Sequence, residues 1–109
     1  MEEKIKLGKL VAGMTFNQKV WALCARVPAG KVTTYGEIAR ALKCKAYRAV
    51  GNALNKNPYA PAVPCHRVVG STGELTGFAG GLAKKKSLLA REGVEMKNDR
   101  VVMREKFTF

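Results

Sequence analysis

A chain of 109 residues that is 47% hydrophobic and 26% charged has the size and composition of one globular domain around one modest core. Its 20 Lys+Arg against 8 Asp+Glu leave a net charge of +12, a balance that favours a polyanionic partner, nucleic acid first. Cys24, Cys44 and Cys65 are odd in number and form no C-x-x-C, which argues against a disulfide framework and a zinc site. No apolar run reaches the ~18 residues of a membrane span, and the N-terminus lacks a signal-peptide core. An intracellular compartment is expected, cytoplasmic or, in a eukaryote, nuclear, with no membrane association, metal or cofactor.

Residues 1–14 scatter Lys4, Lys6 and Lys9 among isolated apolar positions and read as a frayed or edge-strand lead-in. A strong helix opens at Thr15, where Thr15-x-x-Gln18 makes a capping box and Phe16, Val20, Trp21, Cys24 and Val27 recur at helical spacing; Pro28-Ala29-Gly30 ends it. Cys24 lies on that apolar stripe and reads as core. Thr34 and Glu37 make a second capping box before a short helix to Leu42. Across the break Lys43-Cys44-Lys45, a further helix spans 46–55. Two short helices joined so tightly form a helix-turn-helix, which in a basic chain points to DNA.

The second helix of that pair is small-sided, with Ala46, Ala49, Gly51 and Ala53 around a single long cation, Arg48. Such a helix suits close approach to a narrow groove with little sequence reading. The same alanines are equally suited to packing helix on helix.

A Pro- and Asn-rich loop, 55–64, leads to Val63-Pro64-Cys65-His66-Arg67-Val68-Val69, which sets a thiol beside the only imidazole of the chain. A free cysteine has a pKa of about 8.5 and needs a base or cation to be nucleophilic at neutrality. Neighbouring side chains diverge, so His66 would act through one water or across a tight turn. The alternative is a small buried hydrophobe next to a structural histidine, and the dipeptide alone leaves both open. Arg67-Val68-Val69 reads as a short strand closed by Gly70-Ser71-Thr72-Gly73. The glycine-rich loop 76–81 lets backbone approach a flat ligand while Phe78 lines a wall. A last helix, 82–92, is expected to bury Leu82, Leu88 and Leu89, to expose Lys84, Lys85 and Lys86, and to end at Gly93. Val94-Glu95-Met96 and 100–103 make a hairpin, with Phe107 and Phe109 packing it down.

Taken in order, Tyr35-x-x-Ile38-Ala39, Arg48-Ala49-Val50-Gly51, Asn57-Pro58, Pro64–Val69, Gly80-Gly81-Leu82 and Leu88-Leu89-Ala90-x-Glu92-Gly93 resemble the active-site domain of the O6-alkylguanine-DNA alkyltransferases. The resemblance covers about residues 15–93. It implies a helix-rich α+β, winged-helix-like domain spanning 1–109, with a helix-turn-helix and a short hairpin or sheet. It also implies direct repair, in which an O6-alkylguanine is flipped out of duplex DNA and its alkyl group moved irreversibly to the protein.

On that resemblance Cys65 is the acceptor, His66 its base through a water, and Glu92 the group that orients His66. Asn57 belongs to the loop before the nucleophile. Arg48 is the finger that replaces the flipped base from the minor groove, Tyr35 helps rotate the phosphate, and Ala46, Ala49, Gly51 and Asn52 complete the DNA-facing helix. Pro64, Val68, Gly77, Phe78, Ala79 and Gly80 would line the guanine pocket. The partner implied is double-stranded DNA carrying O6-alkylguanine, met by a monomer.

Two departures stand out. The resemblance leads one to expect the active-site half alone, without the N-terminal domain of longer members, and Phe78-Ala79 stands where tyrosine and serine are frequent, which removes hydroxyl donors to the departing guanine. Alkyltransferase-like relatives of this size bind lesions without repairing them, usually with tryptophan or alanine in place of the cysteine. Retention of Cys65 favours the transferase over that reading. A helix-turn-helix regulator would leave the Cys-His-Glu set unexplained.

Overall fold

The computed structural model describes residues 1–76, 78, 80–103 and 106–109, and among these it contains five α-helices and two two-stranded sheets. The chain begins with a helix, α1 (Glu2–Lys6), and not with the expected frayed or edge-strand segment. Its charges explain the difference. Glu2 and Glu3 occupy the first turn and Lys4 and Lys6 the last, each sign at the helix end whose dipole favours it, and Lys6 Nζ pairs with Glu2 at 2.8 Å. Ile5, fully buried, anchors this short helix in the main core.

α2 (Phe16–Ala25) opens on the complete capping box: Thr15 Oγ1 accepts from the Gln18 N–H at 3.1 Å, and Gln18 Oε1 accepts from the Thr15 N–H at 2.9 Å. It stops at Ala25, just short of Pro28, and Cys24 is buried as its place on the stripe required. A two-residue strand, β1 (Thr33–Thr34), runs into α3 (Tyr35–Ala41), and α4 (Tyr47–Asn55) follows. Only half of the second capping box forms. Thr34 accepts from the Glu37 N–H at 3.0 Å, but the Glu37 carboxylate turns to Arg40, taking Nε at 2.9 Å and Nη2 at 3.0 Å. Two charge-assisted bonds at i+3 outcompete one backbone N–H.

Beyond the 57–64 loop, residues Cys65–Arg67 form a single 3-10 turn, and β2 (Val68–Val69) continues from it. β2 pairs in parallel with β1, Thr33 against Val68 and Thr34 against Val69, so the entrance to the helix-turn-helix is tied directly to the exit from the Cys-His turn. The alternation of a strand splits these valines. Val68 enters the main core with Ile5, Leu23, Ile38, Val50 and Val63, while Val69 enters a second cluster with Val32, Leu89 and Val101.

α5 (Leu82–Arg91) ends at Gly93, whose φ of +81 is the left-handed cap that glycine supplies most readily. Its faces differ from expectation. Leu82 is 49% exposed, Leu88 is half-buried, and Lys85, in the middle of the lysine run, is 1% exposed. The hairpin is present but short: β3 (Met96–Lys97) and β4 (Arg100–Val101) pair antiparallel around Asn98 and Asp99, both at positive φ, the backbone that a two-residue turn between right-twisted strands demands. Phe109 packs against the main core, and the Phe107 N–H donates to the Val32 carbonyl at 2.7 Å.

Candidate active site and nucleic-acid groove

Pro64 caps the 3-10 turn, the Cys65 N–H donates to the Val63 carbonyl at 2.9 Å, and the Arg67 N–H donates to the Pro64 carbonyl at 2.9 Å. That curl separates two adjacent side chains: His66 goes inward, 3% exposed, while Cys65 stays half-buried and reachable. Asn57 braces the approach. Its Nδ2 donates to the Val63 carbonyl at 2.8 Å and its Oδ1 accepts from the Tyr59 N–H at 2.9 Å, which closes the 57–63 loop immediately before the thiol.

His66 Nε2 lies 2.9 Å from Glu92 Oε2, at the C-terminal cap of α5. Arg67 grips the same carboxylate, Nε on Oε1 at 2.9 Å and Nη2 on Oε2 at 2.6 Å, and its Nη1 donates to the Val27 carbonyl at 2.8 Å. Burial pushes the Glu92 carboxyl up, but the hydrogen bonds from Arg67 and His66 outweigh it and hold Glu92 below the usual carboxylate range. Against an ionised Glu92, Nε2 of a neutral His66 carries the proton and Nδ1 is left as the acceptor. The family resemblance points to His66 and Glu92; Arg67, which makes the carboxylate rigid, shows itself in the sequence only as a strand residue.

Lys85, expected in solvent, is the largest correction. Its ammonium donates to the Val68 carbonyl at 2.6 Å and the Thr76 carbonyl at 2.9 Å, and it lies 5.9 Å from the centre of the Tyr35 ring. The Tyr35 hydroxyl donates to the same Thr76 carbonyl at 2.9 Å. Lys85 and Tyr35 therefore fix the start of the glycine-rich loop relative to the strand that leaves Cys65. Burial pulls the Lys85 amine down to about 8, and charge on Cys65 and on Cys24 opposes that shift. Cys24 itself is inert by environment, because burial first, then Cys65, pushes its thiol up. The signal for Lys85 lies in spacing: it stands three and four residues before Leu88 and Leu89, on their helix face.

Val68 is buried, so only its backbone can serve a pocket. Phe78 is half-buried, and a Cβ at Gly80 would come within 2.8 Å of its ring, so the aromatic lies across Gly80. Gly77 and Ala79, expected in the same pocket, lie outside the described residues.

On the other side of Tyr35, the helix-turn-helix borders an open groove of ≈ 360 Å³, lined by Tyr35, Tyr47, Arg48, Gly51, Asn52, Asn55 and Thr76. Four of the residues expected at DNA meet here: Tyr35, Arg48, Gly51 and Asn52. A Cβ at Gly51 would meet nothing within 4 Å, so protein packing does not require this glycine. Ala46 caps α4 and is exposed, and Ala49 is half-buried. Tyr47, 53% exposed beside Arg48, departs from the small-sided face expected of α4. Among the described residues no group of His, Cys, Asp or Glu is placed to hold a metal ion, and no helix is long and apolar enough to cross a membrane.

Residues 15–94 match the family described as 6-O-methylguanine DNA methyltransferase, DNA binding domain, and the chain belongs to that family. A methylated-DNA–protein-cysteine methyltransferase of Methanosarcina mazei is 50% identical over 86 residues, covering 78% of this chain and 54% of the relative. The chain thus spans about half the length of the curated relatives it matches. Among solved structures, Mycobacterium tuberculosis OGT in complex with DNA superposes with a TM-score of 0.70 at 39% identity over 84% of this chain and 62% of that one. Schizosaccharomyces pombe Atl1, in complex with damaged DNA containing O6-carboxymethylguanine, gives 0.66 at 38% identity over 75% and 79%.

Proposed function

We propose that this chain reverses DNA alkylation directly, taking the alkyl group of an O6-alkylguanine onto Cys65. The observation that carries the reading is a reachable thiol at the head of a tight turn beside a histidine whose Nε2 is held by an ionised carboxylate. In the step, the Cys65 proton passes through a water to Nδ1 of His66 and the thiolate Sγ attacks the alkyl carbon. The S–C bond forms, the C–O6 bond breaks, and the electron pair goes to the guanine, which takes up a proton as it leaves. A thioether has no return path, so each chain acts once. Glu92 and Arg67 keep His66 in the accepting tautomer.

Recognition divides between two surfaces. Arg48 enters the stack from the minor groove in place of the extruded base, Tyr35 turns the phosphate, and Ala46, Ala49, Gly51 and Asn52 let the α4 backbone come close to the duplex. One copy of the chain meets the DNA. Pro64, the Val68 backbone, Phe78 and Gly80 enclose the guanine, and Asn57 holds the loop that feeds Cys65. The likeness to Atl1, in its complex with damaged DNA, favours lesion binding without transfer as a second reading; Cys65 and its relay favour transfer. A duplex with a labelled methyl group on guanine O6 tests the two. Transfer predicts label moving to the protein in one-to-one amount, and Cys65→Ala retaining affinity within a few-fold while taking no label. Binding by the parent with no transfer would establish the second reading instead.

A further inference from the structure

The stretch of chain between Cys65 and the glycine-rich loop is restrained by a part of the molecule that the relay and the DNA-facing helix do not use. After β2 the chain turns sharply: the Gly73 N–H donates to the Gly70 carbonyl and the Gly70 N–H to the Glu74 carbonyl, each at 2.9 Å. β4 lies against that turn. The Val101 N–H donates to the Gly73 carbonyl at 2.9 Å, Glu74 and Arg100 form an antiparallel bridge, and Arg100 Nη1 donates to Thr72 Oγ1 at 3.0 Å. The hairpin is pinned in turn, because Asp99 at its tip pairs with Lys86 of α5 and Val101 packs with Val32, Val69 and Leu89. It lies beyond residues 15–94, so the family match assigns it no role.

The contact at Gly73 leaves no slack. This buried glycine has a φ of +87, and a Cβ there would stand 2.2 Å from the Val101 carbonyl oxygen, where ordinary contact begins near 3.4 Å; a side chain would drive turn and strand apart by about 1 Å. The exposed charges of Arg100 and Asp99 add modestly to this backbone contact. Lys85 binds the Val68 and Thr76 carbonyls, the two ends of the stretch, and the hairpin binds its middle.

We propose that the β3–β4 hairpin is a positioning element for alkyl transfer: seated on Gly73, it sets where Thr76, Phe78 and Gly80 stand relative to Cys65. The inference rests on the transfer reading above and extends it to residues outside the thiol, the relay and the helix-turn-helix. A displacement of about 1 Å between a reacting centre and its nucleophile costs on the order of a hundredfold in rate.

Single-turnover transfer from saturating methylated duplex and from free O6-benzylguanine, measured beside affinity for unmodified duplex, tests the assignment. Gly73→Ala should slow both transfers by a similar factor, roughly a hundredfold, with duplex affinity within about twofold of the parent. Gly13→Ala controls for backbone strain: with a φ of +89 and nothing within 4 Å of its Cβ, it should lower the melting temperature and transfer at the parental rate. The double variant Asp99→Asn/Arg100→Ala alters only exposed side chains, with asparagine suited to the positive φ of position 99, and should slow both transfers about threefold. It decides the matter should Gly73→Ala fail to fold. Parental rates in the double variant, or in a folded Gly73→Ala, overturn the proposal, as does slowing confined to the duplex, which would make the turn a DNA contact. If the parent transfers in those cases, only this inference falls. A parent that takes no alkyl group from either substrate overturns the transfer reading along with it.

Discussion

Lys85→Met isolates the energetics of the buried lysine. The substitution keeps an unbranched apolar stem and removes the amine, so the Val68 carbonyl loses its donor while the Thr76 carbonyl keeps the Tyr35 hydroxyl. The parental amine, lowered from 10.5 to about 8 chiefly by burial, binds its proton more weakly in the native state than in the unfolded chain. Between those two values the unfolded chain holds more protons, and parental stability therefore rises with pH across that window. At about 1.36 kcal/mol per pH unit the rise amounts to roughly 3 kcal/mol. A neutral amine still has two N–H groups for its two carbonyls, so nothing is lost when the proton leaves. Near pH 7 the variant escapes the burial of an ammonium but leaves one carbonyl unmet, a cost of about 1–3 kcal/mol, and the two proteins should lie close in stability. Urea unfolding from pH 7 to 10.5, plotted as parent minus variant, should climb in the parent's favour. A flat difference, or one that falls, would refute the reasoning.

Thr15→Ala, which breaks the capping box, should cost about 1 kcal/mol and lower the melting temperature by roughly 4–8 °C by calorimetry. Gly51→Ala should stabilise the fold by up to about 1 kcal/mol, because the new Cβ meets nothing, yet weaken duplex affinity where DNA approaches that backbone; unchanged affinity would remove Gly51 from the interface. Glu92→Gln should slow methyl transfer about a hundredfold in single-turnover assays at saturating DNA. Because the Glu92 carboxyl is held below its unfolded value, the stability it contributes is present above pH about 4.3 and is lost as pH falls, so the stability difference between the parent and the Glu92→Gln variant should shrink on that acid limb.

Local chemistry was legible in the sequence; partners chosen across the fold were not. The Thr15 and Gln18 box and the Gly93 cap each lie within a few residues, and both form. Glu37 failed as a capping partner because Arg40, one turn on, offers two charged donors in place of one backbone N–H. Val68-Val69 announced a strand by its β-branching, but its pairing with Thr33-Thr34 depends on how two distant segments meet. The lysine run concealed Lys85 because composition describes a solvated face, while the buried position is set by the carbonyls of Val68 and Thr76 that surround it. At the site, the family resemblance supplied Cys65, His66 and Glu92. Arg67 escaped because its role depends on reaching Glu92, which lies 25 residues away in the chain.

Direct reversal, as proposed, requires that Cys65, and not Cys24 or Cys44, accept the alkyl group. Intact mass after incubation with a duplex carrying O6-methylguanine, followed by peptide mapping, tests it most directly. A gain of one methyl group per chain is expected, located on Cys65, with Cys24 and Cys44 unmodified. No mass gain in a protein that binds the duplex, or a methyl group mapped to another residue, would contradict it.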